Sequence, residues 1–321
     1  MANGETRTGG GETHAPGERE SGAARAVDAM NAVFGRQRRN RAIHAKGIVL
    51  DGTFTPNPGA GALSRAPHLR GQPSPLTVRF SSFSGNPEVA DTDVMASPRG
   101  MALRFALADG SATDLVAHSF NGFPVATVDE FRQMLLALAE SGPGVTHPTP
   151  ADRFLATHPR AQAFLEAPKP APVSFATLRY FGVNSFYFIN DRGTRVAGRY
   201  RIEPGLGERF LSSAEAARAD GDYLRREIRQ RVAGGPVQFT LVAQLAAEGD
   251  RIDDPSEVWP DDRPTVELGL IEILDVVADN VAVEQELVFS PAMVPDGIEP
   301  ADAMLQPRSD AYGISYVRRH R

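Results

Sequence analysis

Residues 304–321 read MLQPRSDAYGISYVRRHR. If the run that follows the proline is helical, Arg308 and Tyr312 lie one turn apart on one face, which Ser315 and Arg319 continue. A phenol loses its proton only near pH ~10, but a ferric ion and an adjacent guanidinium both favour the phenolate. The spacing is therefore compatible with a tyrosine metal ligand and its charge partner. It is also typical of an amphipathic helix whose tyrosine packs in the core, and spacing alone favours that second interpretation.

The composition is that of an ordinary globular protein. The chain has 321 residues, 41% hydrophobic and 23% charged, enough for one large core or two small ones. Its net charge of −6 gives no electrostatic reason to expect nucleic acid or an anionic membrane as a partner. The lack of cysteine excludes disulfides, zinc–thiolate sites and iron–sulfur clusters. No segment has the apolar length of a signal peptide or a membrane span, so we predict a cytoplasmic location.

The chain divides into a polar tail and one long folded region. Residues 1–22 are mostly Gly, Glu, Thr and Arg with almost nothing to bury, and we predict that they are disordered. The apolar side chains of residues 23–34 then fall on one helical stripe, which predicts a short amphipathic helix. We predict a single domain over residues 23–321.

Several stretches show the alternation of half-buried strands. Residues 41–54 are predicted to form a strand that contains His44 and closes in an Asp-Gly turn. Residues 76–83 place apolar side chains on one face and Arg79 and Ser81 on the other, which faces either solvent or a polar cavity. Further strands are predicted at residues 97–107, 113–120, 183–189, 194–202, 236–246 and 265–276.

Helices are predicted between these strands. One spans about residues 127–140, with Thr127 as its cap and acidic residues in its first turn. Others are predicted near residues 150–166, 213–231 and 308–321. Because strands dominate the middle of the chain and helices are inserted among them, we predict an α+β fold around an antiparallel β-barrel.

Seven pieces of the sequence, taken in order, resemble the catalase family of haem proteins. The resemblance is to the short catalase-related peroxidases, which lack the C-terminal helical extensions of full catalases. It spans roughly residues 25–321, and the combination of pieces is much more specific than any one of them. The pieces are RAIHAKG (41–47), VRFS (78–81), PRG (98–100), DLV leading to NGFP (114–124), VWP (258–260), VEQ leading to FSP (283–291), and MLQPR leading to Tyr312 (304–312).

The resemblance implies a catalase-like antiparallel β-barrel that binds a b-type haem. It implies that His44 is the distal base, Asn121 the distal amide and Tyr312 the proximal ligand of the iron. Arg308 would hold Tyr312 ionised. It also implies arginines near the haem propionates, a hydroxyl that orients the distal base, and two aromatic pocket walls. These residues are Arg41, Arg79 and Arg319 for the propionates, Ser81 for the hydroxyl, and Phe131 and Phe289 for the walls.

The implied activity is peroxidase chemistry. The enzyme would reduce hydrogen peroxide or an organic hydroperoxide with electrons from a small organic donor, together with some catalase turnover. A neutral imidazole can accept and return the peroxide proton near pH 7, and tyrosine is the haem ligand of catalases. The missing extensions imply a more open haem pocket and a homodimer, with neither nucleic acid nor membrane as a partner.

Two alternatives remain open. Rearrangement of a fatty-acid hydroperoxide would need a long apolar channel to the distal side. A non-catalytic haem carrier would need only Tyr312 and a pocket, so the presence of His44 and Asn121 argues against it. The other histidines of the middle and end of the chain have no metal-binding spacing and are expected to be surface or supporting groups. They are His68, His118, His147, His158 and His320.

Overall fold

The computed structural model describes residues 21–321. The predicted disordered tail lies outside these residues except for its last two, which begin the first helix. Ser21 caps that helix by accepting a hydrogen bond from the Ala24 N–H at 3.1 Å. The helices are α1 Gly22–Phe34, α2 Val128–Ala139, α3 Pro150–Thr157, α4 Pro159–Glu166, α5 Ser213–Ala216, α6 Tyr223–Ala233, α7 Asn280–Glu286 and α8 Leu305–Arg319.

Eight antiparallel strands close into a barrel. They pair in the order β4-β3-β2-β1-β8-β7-β6-β5, and a bridge between His118 and Phe181 joins β4 to β5. A short ninth strand pairs with the second half of β5. The predicted α+β fold, an antiparallel β-barrel with inserted and flanking helices, is therefore confirmed. The strands are β1 Gly47–Pro56, β2 Ser74–Ser81, β3 Gly100–Ala106, β4 Ala112–His118, β5 Tyr180–Ile189, β6 Arg195–Pro204, β7 Val237–Leu245, β8 Thr265–Val276 and β9 Ile298–Pro300.

The two faces of the sheet carry different side chains. Ile48, Phe80 and Met101 point into the barrel, where each is fully buried in the larger hydrophobic core. Because side chains alternate between faces, their neighbours in sequence point outward. Ser81 on β2, Gly100 on β3 and His118 on β4 are cross-strand partners and so share this outer face.

Helices cover part of the outer face. Val27 on α1, Phe131 and Leu135 on α2, and Ala311 on α8 belong to a second, smaller hydrophobic core. Burial of such side chains stabilises the packing by roughly 1.5–3 kcal/mol for each large residue. The space between the outer face of β2–β4 and these helices becomes the cavity described below.

Proline explains two differences between the predicted and observed helices. The helix predicted over residues 150–166 is divided, because Pro159 lacks a backbone N–H and restricts His158. In contrast, α8 begins at Leu305, before its predicted start at residue 308. Pro307 can lie inside the first turn of this helix because no intrahelical N–H bond is required there. The helix predicted over residues 213–231 is also divided, into α5 and α6.

A buried ion pair fixes the start of β1. Lys46 donates to Asp91 at 3.4 Å and to Asp222 at 2.8 Å, and both Lys46 and Asp91 are buried. Asp91 also accepts the Leu224 N–H at 3.0 Å, which ties this loop to α6. Removal of one member of such a pair leaves an uncompensated buried charge. Among residues 21–321, no helix combines the length and apolarity needed to cross a bilayer.

Candidate active site

His44 lies in the turn before β1. The prediction that it belongs to the strand is wrong, because its φ of 58° is left-handed and a strand cannot contain that conformation. Its N–H donates to Phe83 O at 2.8 Å, and its carbonyl accepts from Arg79 Nη2 at 2.9 Å. Left-handed backbone costs a non-glycine residue roughly 1–2 kcal/mol. These two hydrogen bonds hold the turn and so direct the imidazole.

Three neighbours fix the ring of His44. Ser81 Oγ lies 3.0 Å from His44 Nδ1, and Phe83 presents its ring edge with centroids 5.6 Å apart. A Cβ atom on Gly100 would lie 2.6 Å from Ser81 Oγ and 3.0 Å from His44 Nδ1. The imidazole can therefore lie against β3 only because residue 100 is glycine.

The environment of His44 favours the neutral imidazole. Burial lowers its pKa well below the ordinary value, and the nearby Arg79 guanidinium lowers it further. The ring retains partial exposure only because it lines a cavity. Nε2 has no hydrogen-bond partner among the described residues, so it is the nitrogen available to a bound molecule.

Tyr312 enters the same cavity from α8. Arg308, one turn earlier, donates from Nη2 to the phenol oxygen at 3.0 Å, as the helical spacing predicts. Arg308 also donates to Asn184 Oδ1, and the Asn184 amide donates to Asp302 at 2.6 Å. Asn184 and Asp302 are buried, and burial raises the pKa of Asp302. A chain of hydrogen bonds thus runs from Asp302 to the phenol.

Asn184 was not predicted as a site residue. Its side chain reaches Arg308 because the pairing of β5 with β6 shifts register between Gly182 and Phe186. Such an irregularity reorients the side chains within it, and no local sequence pattern marks it here. Asp302 was overlooked for the same reason, since its role depends on Asn184.

Three arginines meet at one end of the cavity. Arg79 Nε donates to both oxygens of Glu284 at 2.9 Å, and Arg41 pairs with the same carboxylate. Arg319 donates to the Leu287 carbonyl at 2.8 Å. Burial lowers the pKa of Arg41 to about 9, and burial also opposes ionisation of Glu284, but Arg79 and Arg41 hold the pKa of Glu284 below its ordinary value. Because three guanidinium groups share a single carboxylate, the cluster can bind further carboxylates.

These groups surround two adjoining cavities. The first has about 770 Å³ of space, partly open to solvent, between the outer face of the sheet and α8, with Ala102 and Val116 on its apolar wall. The second has about 1700 Å³, partly open to solvent, and extends from His44 past α1, α2 and α4. Nine of the predicted site residues line one or both: Arg41, His44, Arg79, Ser81, Phe131, Phe289, Arg308, Tyr312 and Arg319.

Asn121 is the predicted site residue that lines neither cavity. β4 ends at His118, so Asn121 lies beyond the strand in a loop and is partly exposed. His118 instead lines both cavities and is only 8% exposed, so of the two positions expected for it, surface or supporting, the surface one is wrong. Alternation along β4, which puts Val116 and His118 on the outer face, could have revealed it.

The residues present fit a haem group. Tyr312 offers an oxygen ligand already bonded to a cation, and the arginine cluster suits propionates. Both cavities have mainly apolar walls, which suit a porphyrin ring. Over residues 21–321, no cluster of three His, Cys, Asp or Glu side chains could hold a metal ion. Tyr312, His44 and His118 are the side chains of this cavity that could each offer a single ligand atom to a haem iron, and Tyr312 is the one bonded to a guanidinium.

Comparison with known proteins gives a consistent result. Residues 25–321 match the family model described as Catalase. The chain is 37% identical to a catalase-related peroxidase of Mycolicibacterium paratuberculosis over 294 residues, which covers 90% of this chain and 92% of that protein. It is 31% identical to a catalase-related peroxidase of Synechococcus elongatus, covering 92% and 88% of the two chains. A solved bacterial catalase superposes with a TM-score of 0.76 at 23% identity, over 88% of this chain and 58% of that one.

Proposed function

Since the chain belongs to the catalase family and is an oxidoreductase acting on peroxide, we propose that it is a haem-dependent peroxidase. It reduces hydrogen peroxide or an organic hydroperoxide with electrons from a small organic donor, and it has some catalase activity. The main support for this proposal is that one cavity contains both His44, which is bonded to Ser81, and Tyr312, which is bonded to Arg308. A mere haem carrier would have no need for the positioned imidazole.

Haem b, bound through Tyr312, would supply the redox chemistry, and the phenolate would donate electron density to the iron. Arg41, Arg79 and Arg319 would hold the propionates, with Glu284 offsetting part of their charge. Phe131 and Phe289 line the cavities and would contact the ring. The hydrogen bonds from Asp302 through Asn184 fix Arg308, and Arg308 in turn fixes the phenol.

His44 performs the proton transfer. When Ser81 Oγ accepts the Nδ1 proton, Nε2 carries a free lone pair that can take a proton from peroxide and return it to the departing oxygen. The lowered pKa keeps the ring neutral near pH 7, so it can act as an acceptor. A positioned acid–base group of this type contributes about 10²- to 10⁴-fold in rate.

The test uses haem-loaded protein mixed with hydrogen peroxide and a phenolic donor. We expect wild type to oxidise the donor, and His44→Ala to lose at least about 100-fold in rate at equal haem content. The control is His147→Ala, because the side chain of His147 is 81% exposed and lines neither cavity. Equal rates in wild type and His44→Ala would refute the proposed role. The ratio of donor oxidation to oxygen release measures how peroxidase and catalase turnover divide.

A second candidate function is rearrangement of a fatty-acid hydroperoxide. The larger cavity favours it, because an apolar passage lined by Phe83, Met95 and Leu165 leads to His44. Lys169 also lines it, and its ammonium donates to the carbonyls of Phe164 and Ala167 at the edge of this passage. Mass spectrometry of the products would decide. A rearranged fatty acid formed without donor would support this function, and a simple alcohol formed with donor oxidation would support peroxidase action.

The remaining expectations also stay proposals. We propose a homodimer in the cytoplasm, without nucleic acid or membrane partners. The net charge of −6 and the 41% hydrophobic composition support the latter part. Light scattering of the purified protein would test the dimer directly.

A further inference from the structure

His118 flanks His44 on the side away from Ser81. Ser81, Gly100 and His118 form one row across β2, β3 and β4, and their side chains share the outer face. Neighbouring strands lie roughly 4.8 Å apart. The imidazole of His44 packs over Gly100, in the middle of the row. Ser81 therefore lies on one side of His44, and His118 on the other.

Neither nitrogen of His118 has a hydrogen-bond partner. Both are buried within the described part of the chain, and the aromatic neighbour Phe123 packs with its centroid 6.4 Å away without offering a polar group. Burial lowers the pKa of His118 to about 3, with smaller contributions from Arg308 and Lys169. The ring is thus neutral, with one N–H donor and one acceptor, and leaving both unpaired is unfavourable.

His68 shows that an unpaired imidazole nitrogen is not by itself a binding site. Its Nδ1 is also buried without a partner, and burial lowers its pKa to about 4. That ring packs against Phe54 and Phe105 on the inner side of the barrel, and it lines neither cavity. His118 differs because its side chain, with both nitrogens unpaired, lines the cavity that contains His44 and Tyr312.

We propose that His118 is a second imidazole of the peroxide-binding site, which hydrogen-bonds to the molecule bound beside His44. The division of labour follows from the positions of the two rings. His44, bonded to Ser81 through Nδ1, accepts a proton from the bound molecule. His118 donates its N–H to an oxygen of that molecule, as an oxyanion-hole donor does. This inference rests on the proposed haem-dependent function, and it gives His118 the part predicted for Asn121.

The probe is fluoride, an anion that binds ferric haem and accepts hydrogen bonds from neighbouring donors. Its dissociation constant is measured from the visible spectrum of haem-loaded protein, so the readout is independent of turnover. We expect His118→Phe to weaken fluoride binding by about 10-fold, equivalent to ~1.4 kcal/mol. His118→Ala is measured beside it, because the larger phenyl ring can strain the site. The matched control His68→Phe should leave the dissociation constant within about twofold of wild type.

Two further variants distinguish hydrogen bonding from packing. An amide at position 118 restores an N–H donor, near the Nδ1 position in His118→Asn and near the Nε2 position in His118→Gln. We expect one of the two to bind fluoride within about threefold of wild type. Wild-type affinity in both His118→Phe and His118→Ala would overturn the inference while leaving the proposed function intact. Failure of wild type to bind haem would overturn both.

Discussion

Substitution of Gly100 by alanine should displace the catalytic imidazole without touching the haem ligand. The new Cβ would lie 2.6 Å from Ser81 Oγ and 3.0 Å from two ring atoms of His44. Ordinary contacts are near ~3.5 Å, so the ring or the hydroxyl must move by up to about 1 Å. Misplacement of a catalytic group by this distance can cost about 100-fold in rate, or ~2.7 kcal/mol of transition-state stabilisation. We therefore expect kcat/KM for peroxide to fall about 100-fold.

The assay is peroxide-dependent oxidation of a phenolic donor at known haem content. Gly313→Ala is the matched control, because Gly313 lies on α8 beside Tyr312 but a Cβ there would meet nothing within 4 Å. Its rate should stay within about twofold of wild type, and its helix should be slightly more stable. Ser81→Ala removes the hydrogen bond without a clash and should cost only about tenfold. Gly100→Ala with normal haem content and at least half the wild-type rate would refute the assigned position of His44.

Three other predictions follow from buried polar groups. Asn184→Leu should weaken haem binding about tenfold in a spectral titration, because Arg308 loses the acceptor that fixes it; unchanged affinity would show that the hydrogen-bond chain is unimportant. Asp91→Ala should lower the free energy of unfolding by about 3 kcal/mol in urea titrations, because buried Lys46 keeps only Asp222 as a carboxylate partner and the Leu224 N–H loses its acceptor. The exposed Asp191→Ala should change it by less than ~0.5 kcal/mol. The haem-free protein should lose roughly 4 kcal/mol of unfolding free energy when the pH falls from 7.5 to 5.5. Three histidines bind protons near pH ~6.5 in the unfolded chain but stay neutral in the folded one, so acid favours the unfolded chain. An unfolding free energy that does not change with pH would contradict this. Those histidines are His44, His68 and His118.

Residue patterns predicted the barrel well but not its local irregularities. Alternation located β2, β3, β4 and β8 to within a few residues, because one face of each strand is buried and the other faces helices or the cavity. Alternation failed at His44, where the apparent strand contains a left-handed residue stabilised by distant hydrogen bonds. Such bonds depend on tertiary structure and leave no local pattern.

The residues of the candidate site also differ in how far sequence patterns predict their positions. Helical spacing predicted that Arg308 and Tyr312 lie together, because a helix brings residues four apart onto one face. Their roles in the site were implied by the resemblance to the catalase family, since spacing alone favoured a tyrosine packed in the core. His118 was not among the predicted site residues, although alternation along β4 places it on the same face as Val116. Asn184 could not have been found, since it reaches Arg308 only through the irregular pairing of β5. Local periodicity thus predicts which residues of a regular helix or strand lie together, whereas the positions of the other site residues depend on tertiary contacts.

The most direct test of Tyr312 as the haem ligand is a haem titration of wild type and Tyr312→Phe, followed by visible absorption. The phenol oxygen of Tyr312, bonded to Arg308 at 3.0 Å in the wall of the cavity, is the proposed ligand of the haem iron. We predict that wild type binds one haem per chain and shows the spectrum of a phenolate-ligated ferric iron. Tyr312→Phe should lose that spectrum and bind haem at least tenfold more weakly. An identical spectrum and stoichiometry in the two proteins would show that Tyr312 is not the haem ligand.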